Sequence, residues 1–232
     1  MKKASTSFTL CALLLTTILS FGDSPKTARF TSGNKQVAYE VFGETSTGPL
    51  LILLHGASGP GIPLYRQQAE FFASKGYVVL YLHYFDATGS SMPSDKNYEL
   101  WAKAVSDLAQ QCLKTPEWQG RKIALMGFSL GASVALAAGS QRIPVDAIAD
   151  WYGSLPDAFF EQRKGMPPLL VLHGARDTVI PIINGQQLAR LCEMEHYTCE
   201  SHFYSDQGHG FVGDALNDAD TRTLEFFARR LK

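Results

Sequence analysis

The chain has 232 residues, a formal net charge of −1, 45% hydrophobic residues and 19% charged ones. That apolar share is too high for a disordered chain, and the length suits one domain with a sizeable core. Acidic and basic residues are interspersed, so there is no basic stripe for nucleic acid and no charged tail.

The chain opens with Met1-Lys2-Lys3, an apolar run from Phe8 to Leu19, and then Ser20-Phe21-Gly22, which puts small residues at −3 and −1 before Asp23. This pattern predicts a secretory signal peptide over 1–22 and a single domain over 23–232. The apolar run is shorter than the ~20 residues a spanning helix needs, so no stable membrane insertion is expected after cleavage. Cys11 follows Leu10, not the small residue a lipoprotein signal requires. The short lysine start is of bacterial type and predicts export to the periplasm or medium.

Ala28–Thr31 and Gln36–Phe42, joined through Ser32-Gly33-Asn34-Lys35, read as a hairpin. Further strands are predicted at Leu50–Leu54, Tyr77–His83, Lys122–Gly127, Ala147–Trp151, Leu169–Leu172 and Glu200–Tyr204, with helical patterns between them. Trp101, Ala104, Val105, Leu108 and Cys112 recur on one helical face, as do Leu224, Phe227, Ala228 and Leu231, where Asp218 is the predicted cap. This alternation predicts an α/β fold, a mostly parallel doubly wound sheet with helices on both faces. The stretch 154–168 between the sixth and seventh strands is short, so only a minimal lid is expected.

Ser129 lies in Gly127-Phe128-Ser129-Leu130-Gly131, between a strand pattern and a run of small helix formers. G-x-S-x-G in that setting is a nucleophile elbow, which strains its serine and exposes the hydroxyl. A serine needs a base, and the base needs an orienting acid. In chain order these should follow as acid, then histidine. Asp177, in His173-Gly174-Ala175-Arg176-Asp177 after the seventh strand, is the predicted acid. His209, between Gly208 and Gly210 after the eighth, is the predicted base. Asp150 ends a strand and is the weaker alternative for the acid. Two backbone N–H groups should bind the oxyanion. Leu130 supplies one, and Ala57 in His55-Gly56-Ala57-Ser58-Gly59-Pro60-Gly61 the other, with Ser58 as second choice.

HGASGPG, GFSLGA, HGARDTVIP and GHGF, in that order, resemble the dienelactone hydrolase family of α/β-hydrolases from about Leu50 to the C-terminus. The resemblance implies an α/β-hydrolase fold and ester hydrolysis, a reaction class and not a substrate. The short lid segment predicts small to medium carboxylic esters or lactones, and a Ser129-His209-Asp177 mechanism requires neither metal nor cofactor. The namesake enzymes typically carry a cysteine nucleophile where this chain has Ser129, which favours ordinary ester hydrolysis over a dienelactone. Two other readings stand beside it. One is a peptidase of the prolyl-oligopeptidase type, which normally bears a large extra domain. The other is a non-catalytic binding protein on this scaffold, which would be expected to have lost a triad member.

Tyr65, Tyr84, Phe85, Trp151, Tyr152 and Phe211 lie on segments that reach the active edge, and Tyr84, Phe85, Trp151 and Phe211 are the candidate pocket walls. His55 and His173 precede glycines at strand ends, a place for loop orientation rather than metal binding. His83, His196 and His202 show no ligand spacing. Arg66 reads as a solvated surface residue. Cys192 and Cys199 suit a short disulfide in an exported protein, and Cys112 a buried, inert thiol.

Overall fold

Five short runs rich in leucine, valine, isoleucine and alanine form strands that are buried on both faces. They are β3 (Leu50–Leu54), β4 (Val78–Leu82), β5 (Ile123–Phe128), β6 (Ala147–Trp151) and β7 (Leu169–Gly174). Continuous rather than alternating apolar runs are what a parallel sheet covered by helices on both sides demands. The computed structural model describes residues 25–232, so the segment expected to be a signal peptide, 1–22, lies outside the described residues.

The hairpin β1 (Lys26–Ser32) and β2 (Lys35–Phe42) turns at Gly33, whose φ of 57° suits a residue without a Cβ. With β8 (Cys199–Tyr204) the sheet has eight strands in the order β1-β2-β4-β3-β5-β6-β7-β8. β1 and β2 are antiparallel to each other, β2 is antiparallel to β4, and all remaining pairs are parallel.

The helices are α1 (Pro63–Ser74), α2 (Asp95–Lys114), α3 (Leu130–Gly139), α4 (Asp157–Glu161), α5 (Ile183–Met194) and α6 (Asp214–Arg230). α2, α3 and α5 cover one face and α1 and α6 the other, giving two cores with the sheet between them. Every residue of α3 is buried, which its alanine-rich sequence permits. Between β6 and β7 stands only the five-residue α4. Among the described residues no helix is long and apolar enough to cross a membrane.

The predicted cap of the last helix is corrected. α6 starts at Asp214 after Gly213, whose φ of 58° turns the chain into the helix, one turn earlier than Asp218. Asp218 instead accepts hydrogen bonds from the Tyr204 hydroxyl at 2.9 Å and from Arg222 at 2.6 Å.

Candidate active site

The loops after β3, β5, β7 and β8 all leave the same edge of the sheet, where open α/β sheets place their ligands. Registry sets their spacing: Leu54 lies beside Gly127, and Gly174 beside Tyr204. Ser129 sits between β5 and α3 with φ 54° and ψ −120°, a sharp turn held by its N–H donating to the Trp151 carbonyl at 3.0 Å. A Cβ on Gly131 would collide with the His55 carbonyl, so only glycine lets α3 start this close to the β3 loop.

Ser129, His209 and Asp177 are brought together. Ser129 Oγ lies 2.7 Å from His209 Nε2, and His209 Nδ1 lies 2.7 Å from Asp177 Oδ2. A carboxylate only accepts, so Nδ1 carries the proton, and Nε2 is left to accept from the Ser129 hydroxyl. The other carboxylate oxygen, Oδ1, accepts from the Val179 and Ile180 N–H groups at 2.8 and 2.9 Å. The Asp177 side chain is wholly buried, whereas His209 is partly open to solvent.

Leu130 opens α3 directly after the serine, and the positive end of the helix adds to its N–H. Ala57 and Ser58 are both exposed on the facing loop, whose turn is closed by Gly59 N–H donating to the Gly56 carbonyl at 3.1 Å. Among the described residues, neither the Leu130 nor the Ala57 N–H has a protein acceptor.

Asp150 does not reach this array. It is fully buried, its Oδ1 accepts from the Gly153 N–H at 2.8 Å, and its Oδ2 has no partner among the described residues. Burial pushes its carboxyl up to about 7, with the Gly153 bond opposing.

Three of the four candidate pocket walls are corrected. Tyr84 is fully buried, stacked on His55 at 4.4 Å, and its hydroxyl donates to the His55 carbonyl. Trp151 points into the other core, where its indole N–H donates to Thr223 Oγ1 at 3.0 Å. Phe211 is buried among Trp151, Tyr152 and Tyr204. Phe85 alone stays half-buried, beside His55 and near Gly59 of the oxyanion loop. Arg66 is also corrected: both of its terminal nitrogens bind the buried Glu40 carboxylate, which His83 Nε2 meets at 3.0 Å.

Tyr152, read from the sequence as lying on a segment that reaches the active edge, is placed directly beside His209. Its φ of 49° is left-handed, and its ring lies edge-on to His209. The pair Tyr152-Gly153 directly after a strand was the available signal. Ser133, whose Oγ accepts from the Ser154 N–H at 3.0 Å, ties the same loop to α3. His55 is buried, its Nδ1 2.8 Å from the Gly56 carbonyl, and desolvation lowers it to about 4. No group of three or more potential metal ligands occurs among the described residues.

The model of the dienelactone hydrolase family matches residues 38–229. The chain belongs to the dienelactone hydrolase family. Its class is therefore that of the carboxylic ester hydrolases, on an α/β-hydrolase fold. No curated protein matches the sequence. Among solved structures, it is similar to an esterase of Pyrococcus furiosus at 17% identity and a TM-score of 0.74, over 90% of this chain and 94% of that one. It is similar to a thermophilic esterase of Thermogutta terrifontis, at 17% identity and TM-score 0.71 over 88% and 94% of the two chains. A dienelactone hydrolase-like promiscuous phosphotriesterase from metagenomic libraries aligns at 16% identity and TM-score 0.75, over 90% and 99%. At these identities the likeness is one of fold.

Proposed function

We propose that this dienelactone hydrolase family member cleaves small to medium carboxylic esters or lactones through a Ser129-His209-Asp177 triad and an acyl-enzyme. The observation that carries the reading is the unbroken relay from Ser129 Oγ through His209 to Asp177, 2.7 Å at each step. Neutral His209 takes the serine proton as Oγ attacks the ester carbonyl, and Asp177 stabilises the imidazolium that forms. The Leu130 and Ala57 N–H groups receive the oxyanion, at about 3–4 kcal/mol of transition-state stabilisation per donor in comparable sites. His209 then protonates the leaving alcohol, and water releases the acyl group by the reverse path.

The short α4 supports the proposed substrate size, since five residues cannot roof an extended acyl channel. The Cys192–Cys199 disulfide, with Cα atoms 6.1 Å apart, supports export to an oxidising compartment, as the basic and apolar start of the chain proposes. The partner in this reading is a small-molecule ester.

An organophosphonate probe should label Ser129, and Ser129→Ala should remove ester hydrolysis while leaving the fold intact. Labelling elsewhere, or a fully active alanine variant, would refute the proposal. A series of p-nitrophenyl esters of rising acyl length, with lactones and peptide amides beside them, tests the substrate class. Preference for long acyl chains or amides would count against it.

A further inference from the structure

Asp177 has a second neighbour besides His209. His173 is the penultimate residue of β7, its ring is completely buried, and its Nε2 lies 2.8 Å from the Ile180 carbonyl and 3.4 Å from Asp177 Oδ2. A carbonyl accepts only, so Nε2 carries the proton and the ring is the Nε2–H tautomer. Nδ1 then faces the interior without a partner among the described residues, against Gly185 of α5. A leucine or phenylalanine would leave no buried nitrogen unpaired, though it would take the donor from the Ile180 carbonyl, so a half-satisfied histidine here needs a reason.

The geometry supplies one. The turn Asp177–Ile180 folds back on its own carboxylate, because the Val179 and Ile180 N–H groups both donate to Oδ1. His173 closes the same turn from the strand side through the Ile180 carbonyl. Its Nε2 also lies 3.4 Å from Oδ2, the oxygen that accepts from His209. We infer that His173 is a positioning residue, which fixes the Asp177 turn and the direction of Oδ2 so that the carboxylate stays aligned with His209.

For this role His173 must remain neutral when His209 is protonated during turnover. Desolvation lowers His173, against the opposing pull of the Ile180 bond and Asp177, and the neighbouring His209 lowers it further. Among the described residues, the charged or titratable groups acting on it are Asp177 and His209, since α5 presents Gly185 and β8 pairs Phe203 with it.

The inference rests on the triad reading, and two measurements keep their failures apart. The first is imidazole nitrogen NMR on the full native protein, which needs no activity. His173 should be a fixed Nε2–H tautomer through the pH range in which His209 titrates. An Nδ1–H tautomer, or a His173 that protonates together with His209, overturns the inference. A correct tautomer in a protein inactive on all esters would fault the functional reading instead.

The second is kinetic. His173→Phe keeps volume but has no donor, and His173→Gln returns an N–H near the Nε2 position. With Phe, kcat should fall on the order of 10- to 100-fold with little change in KM. The acid limb of kcat/KM should move to lower pH, because a misaligned Asp177 stabilises the His209 imidazolium less. Gln should restore part of both effects. An acid limb that stays in place or moves upward, or an unchanged kcat, overturns the assignment. If the Phe variant does not fold, the tautomer measurement decides.

Discussion

The ring of Tyr152 meets the imidazole of His209 edge-on, with centroids 5.1 Å apart and planes at 66°. The contact is made from a left-handed backbone at φ 49°, a conformation that costs a non-glycine residue roughly 1–2 kcal/mol. The surroundings impose it: the Tyr152 N–H donates to the Leu172 carbonyl, and the next residue is held by Asp150. The ring therefore acts as a fixed wall for His209. Tyr152→Phe should keep kcat within about threefold, because the contact needs the ring and not the hydroxyl. Tyr152→Ala should lower stability by roughly 3–5 kcal/mol and cut kcat on folded protein by on the order of tenfold or more. Equal activity of the two variants per folded molecule would show that the ring does not hold the base.

The strands, and the placing of Ser129, Asp177 and His209 on loops that meet, were legible in the sequence because both rest on local pattern. β3 and β6 fall where their apolar runs lie, and the expected boundaries of β4, β5 and β7 differ by at most two residues. Glycines mark the loops after β3, β5 and β7 for a steric reason, as Gly131 against the His55 carbonyl shows. What stayed hidden depends on residues far apart in the chain. Trp151 reads as a pocket wall by its place on the strand, yet Thr223, 72 residues later, draws its indole into the opposite core. Arg66 reads as solvated because Glu40 is 26 residues earlier on another element. Asp218 looks like a cap because it precedes the apolar repeat, but a helix can begin on a left-handed glycine with no side-chain cap at all.

Replacing Asp177 by asparagine separates charge from shape. The asparagine oxygen can still accept from Val179 and Ile180, so the turn survives. Its amide nitrogen would face His209 Nδ1 and favour the wrong tautomer, with the proton on Nε2 where Ser129 must donate. Loss of kcat by up to ~10⁴ is expected, with the melting temperature little changed. Asp150→Asn should retain activity, because that carboxyl bonds Gly153 and does not reach His209. The reverse ranking in steady-state kinetics would move the acid to β6.

The Cys192–Cys199 bond joins the end of α5 to the start of β8 across seven positions of sequence. Chain entropy for so small a loop gives about 2.5 kcal/mol at most. The double variant Cys192→Ser/Cys199→Ser should lose no more than that in a denaturant titration, and activity should persist, since the bond lies away from the triad loops. Cys112 is the internal control: buried, with burial pushing its thiol up to about 12, it should resist alkylation in native protein. Non-reducing mass mapping that finds both 192 and 199 free would remove the bond.

Asp150 makes stability depend on pH in a direction that can be worked out. Its folded-state carboxyl is raised to about 7 by burial, whereas in the unfolded chain it titrates near 3.8. Between those values the folded state holds a proton that the unfolded state has released, so stability falls as pH rises through this window. Above the folded value the penalty is complete. Its ceiling is roughly 4 kcal/mol, since each tenfold gain in proton affinity on folding corresponds to about 1.4 kcal/mol. Asp150→Asn cannot ionise, and its oxygen still accepts from Gly153. The variant should match the parent near pH 4 and exceed it at pH 8, most simply as a melting temperature that falls less on going from acid to base. Asp220, raised to about 6 by burial, contributes the same slope in both proteins and cancels in the difference. A constant offset between the two melting curves across this range would mean that Asp150 is not the buried acid responsible.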